Sequence, residues 1–123
     1  MTNKISVDSM VKIPNGVITI SSIDAFNRIV NNFRENLIVV EFFTDWCGPC
    51  KSFLPIYKKI QRKYYDKGVI FTRINSDNFP EVANQFGIKG VPSLILIRNK
   101  KGLKRHVGAI HGHELMSLIN QYL

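Results

Sequence analysis

The chain holds only two cysteines, Cys47 and Cys50, and they sit two residues apart in Trp46-Cys47-Gly48-Pro49-Cys50-Lys51. Before them runs Leu37-Ile38-Val39-Val40-Glu41-Phe42-Phe43, apolar except for one acid. After them apolar residues recur at helical spacing. A strand-to-helix junction is expected here. Residues i and i+3 share one helix face, so two sulfurs at the start of a helix meet in a small disulfide ring with little backbone movement. The first N–H groups of a helix have no intrahelical partner and carry partial positive charge. They favour a thiolate on Cys47, the candidate nucleophile, which is expected to be the more exposed of the two. Pro49 has no N–H to lose and suits a helix start, after Gly48. Cys50, one turn in, is the candidate resolving thiol. It would attack the mixed disulfide that Cys47 makes with a substrate.

Two other uses of this spacing exist. Structural zinc needs four ligands, but there is no second cysteine pair, and the only histidines, His106, His111 and His113, lie far along the chain. A purely structural cross-link closing so short a loop stabilises little. A redox pair is the leading reading, with no metal expected.

The stretch Trp46-Cys47-Gly48-Pro49-Cys50-Lys51 is the active-site motif of the thioredoxin family, and the chain resembles that family from about Val17 to Leu123. The resemblance implies a protein thiol-disulfide oxidoreductase that reduces disulfides of target proteins and serves cell redox homeostasis. It implies no bound cofactor, because the electrons reside on the two sulfurs. They would come from a separate, flavin-dependent thioredoxin reductase. It also implies that Pro92 in Gly90-Val91-Pro92-Ser93 is cis and faces the cysteines, leaving the backbone at Val91 free to pair with an extended substrate. Gly108 matches the family glycine that keeps a flat surface beside the disulfide; otherwise it is a plain turn glycine. Residues 1–16 are an extension that the resemblance does not cover, with residues 17–123 forming the thioredoxin domain.

The length of 123 residues suits one domain. The apolar stretches are too short for a membrane span, and the N-terminus lacks the apolar core of a signal peptide. A cytoplasmic location is expected, as is a monomer that binds neither membrane nor nucleic acid. The net charge is +8. Much of it lies in two clusters, Lys58-Lys59 with Arg62, Lys63 and Lys67, and Lys100, Lys101, Lys104 and Arg105. No nucleic-acid motif accompanies them. A basic surface does speed encounter with acidic partners.

Along the chain, Pro14-Asn15-Gly16 signals a turn and Val17–Ile20 a short strand. Ser21 and Asp24 have capping-box spacing before a helix carrying Phe26, Ile29 and Phe33. Leu37–Thr44 reads as a strand buried on both faces. The helix after the cysteines carries Phe53, Tyr57, Ile60 and Tyr64 inward, and Pro55 should kink it. A strand at Val69–Asn75 follows, then a short helix over Glu81–Phe86. A hairpin joins Ser93–Arg98 to Leu103–Val107 through a turn at Asn99–Gly102, and a last helix carries Leu115, Leu118 and Tyr122. The crossovers demand parallel strands and the hairpin an antiparallel pair. An α/β class is expected, with a mixed central sheet flanked by helices on both faces, as in the thioredoxin fold.

Glu41 is an acid inside an apolar strand. Buried without a partner, its pKa rises, and a carboxyl poised near neutral relays the resolving thiol's proton. The alternative is a salt bridge, for which Arg73 is the candidate. Thioredoxins usually carry aspartate here, whereas protein disulfide isomerases have glutamate. A disulfide-isomerase or oxidase activity is therefore one alternative, opposed by Gly48-Pro49 between the cysteines. A non-catalytic binding module is the other. Trp46 is a candidate for substrate docking, while Phe42 and Phe43 read as core.

Overall fold

The computed structural model describes residues 12–123. The expected extension therefore lies mostly outside the described residues. Five strands and four helices follow in the order β1 (Val17–Thr19), α1 (Ile23–Asn32), β2 (Ile38–Phe43), α2 (Gly48–Tyr64), β3 (Ile70–Asn75), α3 (Pro80–Gln85), β4 (Ser93–Arg98), β5 (Lys101–Val107) and α4 (Gly112–Tyr122). A 3-10 turn, Tyr65–Lys67, ends α2, and Gly68 closes it at φ 75°, a left-handed value. Glycine meets that value without steric cost.

The sheet order is β1-β3-β2-β4-β5. β1 and β2 both run parallel to β3, as crossover helices require, while β4 runs antiparallel to β2 and β5 to β4. β2 lies at the centre and all six of its residues are buried. Its side chains alternate between two cores. Val39 joins Phe71, Leu94 and Leu96 under Phe53 and Tyr57 of α2 and Leu115 and Ile119 of α4. Ile38, Val40 and Phe42 join Ile70, Ile74 and Ile95 against Phe26 of α1 and Val82 and Ala83 of α3. The sheet is therefore mixed and covered on both faces. Tyr57 locks α2 onto it, its buried hydroxyl donating to the carbonyls of Thr72 at 2.7 Å and Val39 at 3.3 Å.

Local details depart from the sequence reading. The cap of α1 is Ser22, not Ser21. Ser22 is the extended residue (φ −161°, ψ 160°), and its hydroxyl accepts from Ala25 N–H at 3.0 Å. The hairpin turn is only Asn99-Lys100, both left-handed at φ 54° and 66°. That mirror-image turn matches the twist of two strands joined by two residues. β5 consequently starts at Lys101, and Gly102 is a strand residue beside an irregularity at Leu96/Ile97. α2 starts at Gly48 and continues through Pro55 to Tyr64.

Candidate active site

The end of β2 delivers the chain to the cysteines. Cys47 is the N-cap of α2, extended at φ −84° and ψ 106°, with Gly48 and Pro49 as the first helical residues. Its Sγ is bonded to that of Cys50, and their Cα atoms are 5.3 Å apart. Cys47 Sγ also accepts a hydrogen bond from Cys50 N–H at 3.2 Å. One of the orphan donors of the helix start is thus spent on the sulfur, the position where it favours negative charge. The expected contrast in exposure is small, because Cys47 is 4% exposed and Cys50 1%.

Around the sulfurs, Phe43 and Val91 close an apolar cluster. Phe43, read as core from sequence, thus also touches the redox pair. The Val91–Pro92 peptide is cis. Ser93 Oγ donates to Gly90 O at 2.7 Å, and Gly108 N–H donates to Pro92 O at 2.9 Å. The buried Pro92 thereby ties Gly108 to Val91, which packs against the disulfide. Gly108 is left-handed at φ +92°, and a Cβ there would meet nothing within 4 Å. The backbone angle, not a clash, is what calls for glycine.

Trp46 is 72% exposed, so it is no core residue. Its indole N–H donates to Asp77 Oδ2 at 3.0 Å. Asn75 supports that partner, accepting from Asp77 N–H at 2.9 Å while its own amide donates to Asp45 Oδ1 at 3.3 Å. The loops after β2 and β3 thus hold the tryptophan in place. In the sequence, the run Asn75-Ser76-Asp77-Asn78 signals a turn, and nothing local ties it to Trp46.

Glu41 and Arg73 sit opposite each other on β2 and β3. Glu41 is fully buried, and Arg73 Nε donates to its Oε1 at 3.1 Å. Its other oxygen, Oε2, is buried with no hydrogen-bond partner. The guanidinium of Arg73 lies 3.6 Å over the Phe43 ring, a cation–π contact. Burial raises the Glu41 pKa, and the Arg73 charge and hydrogen bond pull it back only in part. Strand alternation puts Glu41 on the face of Val39 and Phe43, beneath α2. Burial pushes the Tyr57 hydroxyl pKa well up, and the Glu41 charge adds to it. The salt-bridge reading of Glu41 is therefore the one that the contacts bear out. It is ion-paired, yet one oxygen stays free to take a proton. Among the described residues, no group of three His, Cys, Asp or Glu side chains is arranged to hold a metal.

A family model for thioredoxin matches residues 17–121. The chain belongs to the thioredoxin family. It is 31% identical over 106 residues to a thioredoxin of Chlamydia caviae, a match spanning 86% of this chain and 99% of that protein. It is 37% identical over 89 residues to a thioredoxin of Buchnera aphidicola, spanning 72% and 81%. The fold superimposes on a crystal structure of a thioredoxin from Nicotiana alata with a TM-score of 0.80 at 33% identity, covering 90% of this chain and 96% of that one. The protein is accordingly a thiol-disulfide oxidoreductase with a redox-active cysteine pair.

Proposed function

We propose that the protein is a cytoplasmic, monomeric thioredoxin-type reductant of protein disulfides, with residues 17–123 as the working domain. The observation that carries this is Cys47 at the N-cap of α2, its sulfur already accepting an N–H of the helix start. The Cys47 thiolate attacks one sulfur of a substrate disulfide. The other substrate sulfur leaves as a thiolate and is protonated by solvent. Cys50 then gives up its proton to Glu41 through water and attacks Cys47 Sγ. The mixed disulfide breaks, and the second substrate thiolate takes a proton. Two electrons have passed to the substrate, and Cys47–Cys50 is oxidised. A thioredoxin reductase returns the two electrons, so the protein needs no cofactor of its own. Trp46, Val91 and Gly108 form the docking surface, with Gly48, Pro49 and cis Pro92 shaping it. Pro49 supports the reducing direction. A histidine there would stabilise the Cys47 thiolate and make the couple more oxidising, and proline brings no such charge. Neither nucleic acid nor membrane has a part in this reading.

The test separates chemistry from scaffolding. The Cys47→Ser/Cys50→Ser double variant should fold normally and show no reduction of a protein disulfide, and it should fail to restore growth in a cell that depends on this chain. Full biological activity in the double variant would make the domain a binding module instead.

A further inference from the structure

Helix α2 carries five cations, Lys51, Lys58, Lys59, Arg62 and Lys63, and no acid anywhere from Gly48 to Tyr64. All five are exposed. The one ion pair among the described residues is Arg73 with Glu41, so none of the five is ion-paired to an acid among the described residues. Positions 51, 55, 58 and 62 recur at helical spacing and form one row, with 59 and 63 beside it. This row faces away from the buried side, which is made of Cys50, Phe53, Tyr57, Ile60 and Tyr64. At 1.5 Å per residue it runs about 18 Å from Lys51 to Lys63. Lys58 with Arg62, and Lys59 with Lys63, are like-charge pairs at i,i+4, which destabilise a helix. Arg62 and Lys63 recover part of this at the helix C-terminus, whereas Lys58 and Lys59 lie before the last turn. A face serving solubility alone mixes its signs; along α2 this one does not, and the first acid, Asp66, comes only in the 3-10 turn beyond the helix.

We propose that the outer face of α2 is a docking surface for target proteins whose disulfide is flanked by acidic residues. The stripe begins at Lys51, covalently next to Cys50, so a target seated on the disulfide lays its flank along it. Acidic side chains about 10–18 Å from the target's disulfide meet Lys58, Lys59, Arg62 and Lys63. The occupant is a protein and not a nucleic acid. Single strands stack on aromatics beside the cations; the aromatic residues of α2, Phe53, Tyr57 and Tyr64, are all buried, and the exposed Trp46 lies before the stripe, its indole held by Asp77. The proposal rests on the reductase reading and names the targets that this chain prefers.

The experiment uses two synthetic peptides with the same cystine loop, one flanked by Asp and Glu and the other by Ser and Gln. The rate constant for their reduction by the dithiol form is measured at about 20 mM and about 300 mM salt, where screening differs strongly. The full chain should reduce the acidic peptide at least about tenfold faster at low salt, with the advantage falling to about twofold at high salt. Lys58→Gln/Lys59→Gln/Arg62→Gln/Lys63→Gln should lose the advantage while reducing the neutral peptide within about twofold of the parent rate. Its melting midpoint should be no lower, since repulsion has been removed. Equal rates for the two peptides in the parent chain, an advantage without salt dependence, or an advantage kept in the variant would each overturn the proposal. So would tight binding of a single-stranded oligonucleotide that disappears in the variant while the acidic peptide gains nothing. Failure to reduce either peptide would instead sink the reductase reading itself.

Discussion

Replacing Cys50 with serine should stop the reaction at its midpoint. The Cys47 thiolate still attacks a substrate disulfide, but nothing then attacks Cys47 Sγ. A covalent adduct should accumulate, visible as a mass shift that dithiothreitol removes. Turnover should fall at least about 10³-fold, as it does when an essential nucleophile is lost. Cys47→Ser should lose turnover equally and form no adduct. The assignment rests on position, not on access, because the cysteines are 4% and 1% exposed. Only Cys47 is the N-cap whose sulfur receives a helix N–H. An adduct on Cys50 in the Cys47→Ser variant, formed at the parent rate, would reverse the two roles.

Removing Arg73 should be the most damaging change away from the cysteines. Arg73→Ala leaves the fully buried Glu41 carboxylate without its partner and uncovers Phe43. A charge stranded in this way costs about 3 kcal/mol at neutral pH. The pH dependence has a definite sign. The folded-state pKa of Glu41 is raised above its ordinary value of 4.5 by burial. The folded state therefore binds the proton more readily than the unfolded chain. That stabilisation is fully present below pH 4.5 and is lost as pH rises through the folded-state pKa. Without Arg73 both influences that lower the pKa disappear, so the window widens upward. Denaturant midpoints should show the Arg73→Ala deficit shrinking as pH falls toward 4.5, with the parent changing less. Glu41→Gln separates the proton relay from the ion pair. Arg73 is 12% exposed and still reaches water, so the variant should fold. Resolution by Cys50 should slow at least about tenfold and lose much of its pH dependence. Unchanged exchange kinetics across pH would remove Glu41 from the mechanism.

Much of this was legible in the residues because it is local. β4 spans Ser93–Arg98 as read, since a continuous apolar run bounded by Pro92 and Asn99 leaves little choice. Glu41 stood out as an acid in an apolar strand, and Arg73 as its candidate partner. The rest needs contacts between distant segments or a choice between near-equivalent neighbours. Trp46 meets Asp77 across 31 positions, and turn-forming composition alone does not show what a turn will hold. Phe43 looks like any core aromatic until the loop after β2 folds back on it. Ser21 and Ser22 differ by one place, and only backbone angles decide which one caps α1. The turn at Asn99-Lys100 puts a lysine at positive φ, a cost that the hairpin's twist outweighs and that composition does not announce.

The most direct measurement is the reduction potential of the Cys47–Cys50 couple, followed by Trp46 fluorescence in dithiothreitol redox buffers. Thioredoxin lies at about −270 mV and protein disulfide isomerase at about −180 mV, a gap of about 4 kcal/mol for two electrons. A reductant built on Gly48-Pro49 should titrate near the first value. A value near the second would mean that Glu41 and its surroundings outweigh that dipeptide, and that the protein oxidises its partners instead of reducing them.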